Sequence, residues 1–355
     1  MTDASTTPAH AISVVVPVFQ GEQTLRPLVD ELRPLTETFR TPAGREAVIA
    51  EVLLVHDNGP DDSASVIREL CREQSFVRAV WLSRNFGQHP ATLAGMASSG
   101  SEWIVTMDED GQHDPAAIGA MLDTAIDEQA DVVYAKPTNP APHGLMRNAA
   151  SRVAKRLLHV WSGGEHTSDF QSYRLVLGEV GRSVAAYAGM GVYLDVAIGW
   201  VSKRVATCPV ILREESGRPS GYSVRLLISH FWRMVISSGT RALRVVSLLG
   251  LLFAAVGAVI ATYVVLAKLV WGIDGQQGWA SLMIAIFLVG GTILFSLGVI
   301  AEYLGVSVNM AMGKPPYLIV SDRSEGPLGR SSDAEGLQSV QLDVTETVRD
   351  SVPRS

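Results

Sequence analysis

The sharpest chemical feature of the sequence is the run Met107-Asp108-Glu109-Asp110-Gly111-Gln112. Asp108 and Asp110 stand at i and i+2 of a turn, so both carboxylates can reach one hard divalent cation. Magnesium takes one or two carboxylates and fills its shell with phosphate oxygens. A transfer that expels a diphosphate needs that charge neutralisation. An acidic turn can equally be a solvated surface feature, so its neighbours decide. Asp57, after the apolar run Glu51–Val55, can accept hydrogen bonds from a nucleobase imide or a ribose. Asp61-Asp62-Ser63 opens the next helix, which Asp61 can cap. Pro17-Val18-Phe19, after Ile12–Val16, offers a flat apolar wall for a base or a simple strand-ending turn. Ser83-Arg84-Asn85-Phe86-Gly87, after Ala79–Leu82, adds a guanidinium.

These residues need a scaffold that brings four chain positions together. Ile12–Val16, Glu51–Val55, Ala79–Leu82 and Trp103–Met107 are short, β-rich and followed by turn residues, with amphipathic Thr24–Thr38 and Ser63–Glu73 between them. Such alternation predicts an α/β fold, a mostly parallel sheet covered by helices. Ligands of such sheets bind beyond the carboxyl ends of the strands. Four successive strand ends carrying nucleotide- or metal-compatible residues therefore point to one site. Further along, Ala149–Trp161 reads as a helix and Lys203–Leu212 as a late strand. His56, His89 and His113 lack zinc-site spacing, so cap or surface roles are expected. Cys71 and Cys208 are expected to be buried thiols without a role. No G-x-G-x-x-G follows the first strand and no G-x-S-x-G is present, which argues against dinucleotide-binding and nucleophile-elbow enzymes.

Charged residues make up 18% of the 355 and hydrophobic ones 47%, against a usual charged share near 25%. The excess lies after Arg244. The net charge of −7 offers no basic field for nucleic acid, which is excluded as a main partner. Residues 1–10 are polar, without the features of a signal peptide, so the globular part is expected in the cytoplasm. Val245–Ala267 and Gly275–Ala301 carry no charge and are long enough for the roughly 20 residues a membrane span needs. Before them, Ser223–Arg244 mixes Arg225, Arg233, Arg241 and Arg244 with Leu226, Phe231 and Trp232, as an interfacial helix on anionic headgroups would. Basic residues on both outer flanks, Lys314 and Arg323 included, place those flanks in the cytoplasm. The expected domains are a flexible 1–10, a catalytic 11–222, a juxtamembrane 223–244, two spans within 245–303, and a C-terminal 304–355 disordered after about 321.

With these motifs in place, the chain resembles the family 2 glycosyltransferases of GT-A fold, in the group of dolichol-phosphate mannose synthase and bacterial polyprenyl-phosphate glycosyltransferases. The resemblance rests on Val15-Val16-Pro17-Val18-Phe19, Asp57 with Asp61-x-Ser63, Leu82–Gly87, Asp108-x-Asp110-x-Gln112 and Ser168-Asp169-Phe170. It continues through Ser216–Ser223, the two spans, Glu302-Tyr303-Leu304-Gly305 and Lys314-Pro315-Pro316-Tyr317. It implies that Pro17, Phe19, Asp57 and Asp108 bind the nucleotide, and that Asp108, Asp110 and Gln112 organise Mg²⁺ or Mn²⁺. Arg84, Lys136, Arg213 and Arg218 would meet donor or acceptor phosphates, and Asp169 falls on the acceptor-side catalytic residue. The implied partners are a nucleotide-diphosphate sugar, a polyprenyl phosphate and a lipid bilayer; a homo-oligomer is compatible with this. Two departures stand out: Asp57-Asn58-Gly59 replaces the usual Asp-Gly-Ser, and Gln20-Gly21 the usual Asn-Glu. Asn can still adopt a left-handed turn. In Asp169-Phe170-Gln171-Ser172-Tyr173-Arg174 the role of Arg174 is open.

The implied reaction is direct displacement at the anomeric carbon with inversion, moving a hexose-type sugar to the lipid at the cytoplasmic membrane face. A phosphate monoester, with its second pKa near ~6, is largely ionised at neutral pH. Asp169 is then expected to orient the acceptor rather than take a proton. Two other readings stay open: a processive polysaccharide synthase, although Q-x-x-R-W is absent, and an inactive scaffold, although Asp108 and Asp110 are retained.

Overall fold

Every side chain from Ile12 to Val16 is buried, the pattern of a central strand covered on both faces. In a computed structural model, which describes residues 8–139, 171–189, 191–213, 278–324 and scattered positions between 250 and 270, this run lies within β1 (His10–Val18). The other strands are β2 (Phe39–Arg40), β3 (Glu46–His56), β4 (Val77–Leu82), β5 (Trp103–Thr106), β6 (Val132–Pro137), β7 (Arg174–Leu177), β8 (Val205–Val210) and β9 (Ile319–Val320). They form one sheet in the order β8-β6-β7-β5-β1-β3-β4-β9, with β2 paired to β3. The strands β1, β3, β4, β5, β6 and β8 run one way; β2, β7 and β9 run the other. The sheet is thus mostly parallel and mixed.

Alternation along the strands builds two cores. Val14, Val16, Val18, Val52, Leu54 and Val105 enter one, with α1 (Leu25–Leu32), α2 (Ser63–Glu73) and α4 (Ile118–Asp127). Val15, Leu53, Val55 and Ile104 enter the other, with α3 (Gln88–Ser98), α5 (Gly178–Tyr187) and α6 (Leu194–Val201). At the amino ends of the strands the buried Glu51 accepts hydrogen bonds from Ser13 and from the Gly100 amide, 2.7 Å each, and pairs with Arg78.

Several boundaries differ from the sequence expectations. Pro17 and Val18 belong to β1, because the pairing with β3 continues to Val18–His56; Met107 falls outside β5. Thr24–Thr38 divides into α1 and a 3₁₀ turn at Arg33–Thr36, since Pro34 lacks the amide that would extend the α-helix. The late strand is shorter than Lys203–Leu212.

Among the described residues one helix is long and apolar enough to cross a membrane. This is α7 (Trp279–Ala311), whose window Leu288–Gly305 has a mean hydropathy of 1.6. It begins after Gly275 and continues through the exposed Glu302 rather than stopping at Ala301. It ends where Gly313, at φ 64°, supplies the left-handed residue that closes many helices. Most of Val245–Ala267 lies outside the described residues. The described positions there are helical, with Leu252, Val256, Val259, Tyr263 and Leu266 exposed. Ala149–Trp161, Ser223–Arg244, Asp169 and Arg218 also lie outside them. The tail is built further than expected: past 321, Asp322 is buried and Ser324 hydrogen-bonds to it.

Candidate active site

Six strands point their carboxyl ends at one edge, and the described candidate residues gather there. Phe19 follows β1, Asp57 follows β3, Arg84 follows β4, the run Asp108–Gln112 follows β5, Lys136 lies at the end of β6 and Arg213 follows β8.

The turn after β1 is held by the turn after β5. Glu109 accepts hydrogen bonds from the Phe19 amide at 3.0 Å and the Gln20 amide at 2.9 Å. Beside it, the turn after β3 makes a tight approach. A Cβ built on Gly59 would lie 1.4 Å from the Phe19 carbonyl oxygen, so no other residue fits without moving backbone. Asn58 takes the expected left-handed conformation, φ 51°, and its amide donates to the Leu82 carbonyl. Asp61 accepts from the Glu22 amide at 3.0 Å and from the Ser63 amide at 3.4 Å. It therefore ties two turns together. The N-cap position of α2 is Asp62, whose side chain makes no capping bond, so the capping expected of Asp61 reduces to the long contact with the Ser63 amide.

Asp57 is buried, and its two carboxylate oxygens accept from the Phe86 and Gly87 amides at 2.7 Å each. Burial pushes its carboxyl above the usual range, against those amides and Arg84, which favour the charged form. Arg84 is exposed, with its guanidinium over the Phe86 ring, 4.1 Å from the centroid. The three turns after β1, β3 and β4 thus form one hydrogen-bonded floor.

Asp108 is oriented by partners the sequence did not reveal. Gln88 Nε2 donates to its Oδ1 and Ser172 Oγ to its Oδ2, both at 2.6 Å. Its amide donates to His113 Nδ1 at 2.9 Å, which puts the imidazole proton on Nε2. His113 is buried and stacks on Tyr173 at 4.8 Å; burial pushes its pKa down. His56 is buried too, against Trp81. The surface role expected for these two histidines is corrected, and His113 has the cap-like role. Asp110 accepts from the Gln112 amide at 3.0 Å, which closes the turn at Gly111. Among the described residues no group of three or more His, Cys, Asp and Glu is arranged to hold a metal. Asp108, Asp110 and Gln112 present hard oxygen donors, a set that suits a cation whose remaining ligands are phosphate oxygens.

Arg174 pairs with Asp195, not with the site. Both are buried, and Tyr134 also donates to Asp195 at 2.9 Å. Arg174 Nε reaches the Ser172 carbonyl at 3.4 Å, and Thr106 donates to the same oxygen at 2.6 Å, so the pair props the residue that orients Asp108. Arg213 hydrogen-bonds through its amide to the Gln112 carbonyl at 3.0 Å, while its guanidinium pairs with Glu31 at 2.6 Å and Asp114 at 2.9 Å. Ser172, Gln88 and Glu109 were missed because only tertiary pairing reveals them; Glu109, inside the acidic run, was the one within reach.

An open, mostly parallel sheet with polar residues gathered at one carboxyl edge is the architecture in which α/β proteins bind their ligands. Residues 13–179 match the model of glycosyl transferase family 2, and this part of the chain is a glycosyl transferase family 2 domain. An undecaprenyl-phosphate 4-deoxy-4-formamido-L-arabinose transferase of Klebsiella pneumoniae (strain 342) is 29% identical over 317 residues, 88% of this chain and 93% of the relative. The protein of the same name from Enterobacter sp. (strain 638) is 27% identical over 329 residues, 91% and 97% of the two chains. Among solved structures, the mannosyl-3-phosphoglycerate synthase of Rubrobacter xylanophilus aligns with a TM-score of 0.48 and 15% identity, covering 66% of this chain and 74% of that one.

Proposed function

We propose that the chain transfers a sugar from a nucleotide-diphosphate donor to a polyprenyl phosphate, with inversion, at the cytoplasmic face of the cell membrane. One observation carries the reading: the edge that gathers Phe19, Asp57, Asp108 and Asp110 belongs to a sheet to which the chain returns, as β9, directly after an apolar helix. The relatives named as undecaprenyl-phosphate transferases, matched over most of both chains, support the acceptor class.

In this reading Phe19 and Asp57 face the nucleoside, and Asp108, Asp110 and Gln112 hold Mg²⁺ or Mn²⁺. The cation neutralises the departing diphosphate when bound. Ser172 and Gln88 fix the Asp108 carboxylate before substrate arrives, which removes reorganisation from the reaction. Arg84 and Lys136 serve phosphate oxygens, as do Arg213 and Arg218. The acceptor phosphate is already ionised, so Asp169 orients it and proximity does most of the work.

The position of β9 also supports two spans. If α7 crosses the bilayer once and its carboxyl end lies beside β4, its amino end is on the far side from residues 8–213. The chain then crosses an odd number of times between 213 and 279, and Val245–Ala267 is the uncharged segment long enough to do so. The limits 11–222, 223–244 and 245–303, read from the sequence, are compatible with this arrangement except that α7 runs on to Ala311, and the chain after it returns to the catalytic side.

The test is a panel of uridine, guanosine and thymidine diphosphate sugars with polyprenyl phosphate and Mg²⁺, read by the mass of the lipid product. A pentose donor belongs in it beside the hexoses, since the relatives' sugar is an arabinose derivative. One donor should yield glycosylated lipid. Transfer to a free sugar or protein hydroxyl, with none to polyprenyl phosphate, would refute the reading.

A further inference from the structure

After α7 only Met312–Leu318 separate the helix from β9, a reach of at most about 30 Å. The strand then docks antiparallel on the free edge of β4, pairing Ile319 with Leu82 and Val320 with Trp81. Two further bonds seize Ser83, the first residue of the turn after β4. Its amide donates to the Leu318 carbonyl at 3.0 Å, and its carbonyl accepts from Arg323 Nη2 at 3.0 Å. A bidentate ion pair closes the arrangement. Arg68 on α2 donates through Nε to Asp322 Oδ2 at 2.6 Å and through Nη2 to Oδ1 at 3.0 Å, across 254 positions. The Asp322 side chain is 6% exposed. Asp322 also accepts from the Ser324 amide and hydroxyl, 2.9 Å each, and Arg68 lies over the Trp81 ring. Tyr317 packs against the core on the α3 side.

A two-residue strand supplies few ladder bonds, so a buried bidentate pair beside it marks a contact built to hold. What it holds is specific. The turn that begins at Ser83 carries Arg84, gives its Phe86 and Gly87 amides to Asp57, and leads to Gln88 on Asp108.

We propose that Ile319–Ser324 is a latch that registers the carboxyl end of the membrane helix on the β4 edge, with Arg68, Asp322 and Arg323 as positioning residues for transfer to the lipid acceptor. The proposal rests on the transferase reading above and adds residues that neither touch substrate nor follow from the family motifs. Without the latch, the donor site keeps its internal hydrogen bonds but loses its fixed height and tilt at the headgroup layer. A lipid phosphate confined to that layer should notice; a soluble one should not.

The experiment uses the full chain in lipid nanodiscs and compares the native protein with Asp322→Asn, Arg68→Gln and the swap Arg68→Asp with Asp322→Arg. Hydrogen exchange at 81–83 and 318–323 reads the latch itself. Kinetics with polyprenyl phosphate, and with a short water-soluble prenyl phosphate, read the consequence. In the single variants exchange should rise in both segments and the KM for the lipid should increase about tenfold. Their kcat, their nucleotide affinity and their KM for the soluble acceptor should stay within about twofold. The swap should recover part of the loss. Unchanged exchange, or an unchanged lipid KM, overturns the latch. Equal losses on both acceptors with weaker nucleotide binding overturn it too, because the pair would then merely build the donor site. If the native chain glycosylates no prenyl phosphate, the proposed function falls, and the exchange difference still decides whether the pair holds the strand.

Discussion

Ser172 Oγ donates a 2.6 Å hydrogen bond to Asp108 Oδ2 across 64 positions of sequence. The bond joins the start of β7 to the acidic turn after β5. It leaves the Asp108 carboxylate held from two sides, since Gln88 occupies its other oxygen at 2.6 Å. If Asp108 and Asp110 carry the cation, Asp110→Asn should cut turnover by a factor on the order of 10² or more, and a chelator should reproduce the loss. Ser172→Ala should cost less, several-fold in turnover, with a higher Mg²⁺ concentration at half-maximal rate. Full activity in chelator would remove the cation from the site.

Cation binding should also depend on nucleotide. Among the described residues no three carboxylates converge here, so diphosphate oxygens would complete the shell of a bound cation. Calorimetry with Mn²⁺ should detect weak or no binding to the free protein and clear binding in the presence of a nucleoside diphosphate. Tight binding without nucleotide would point to a different ligand set.

Gly59→Ala should be among the most damaging single-methyl changes in the domain. The new Cβ would meet the Phe19 carbonyl at 1.4 Å, and backbone on both sides leaves nothing flexible to give way. A loss of about 3 kcal/mol or more is expected, visible as a lower Tm or a failure to fold. A normal Tm would mean that the turns after β1 and β3 pack differently.

The buried pair of Arg174 and Asp195 predicts an asymmetry. Arg174→Met leaves Asp195 buried without its counter-charge, with the Tyr134 hydroxyl still donating to it, which should cost roughly 3–5 kcal/mol, whereas replacing both by Met and Leu should cost far less. Denaturant unfolding distinguishes these outcomes. Equal losses in the single and double variants would show that the charge pair is not the source.

Acid should weaken the fold through His56. Burial holds its folded-state pKa below the ordinary value, although Asp61 and Asp322 favour the charged form. The unfolded chain therefore binds the proton more readily, and stability is lost as pH falls below about 6.5. A Tm profile between pH 7.5 and 5 should slope downward with acid, and His56→Phe should flatten it. An unchanged slope in that variant would assign the effect elsewhere.

The strand ends were legible because each apolar run is followed at once by a residue of a type that could serve a nucleotide or a cation: Phe19, Asp57, Arg84 and Asp108. A parallel sheet converts that sequence pattern into a spatial cluster. What could not be read was reversal. Strand β7 is four residues long and opens with a buried arginine, which resembles no apolar run. Strand β9 is two residues long, too short for any period. Gln88 and Ser172 are ordinary polar residues until the fold sets each beside Asp108. The carboxyl end of α7 was misjudged because Glu302 ends the uncharged run but not the helix; an exposed glutamate is a good helix former.

Strand β7 runs against both its neighbours, so it begins where β6 ends, at the reactive edge. Pro137, which ends β6, and Arg174, which opens β7, therefore lie on the same side of the molecule. A connection whose two ends lie together can be lengthened or exchanged at little entropic expense, because loop closure costs only about 0.6 kcal/mol more per doubling of length. That junction is a natural grafting point. Segments of differing length could be transplanted between Asn139 and Ser168, which leaves Ser172 on Asp108 and the frame around Asp57 in place.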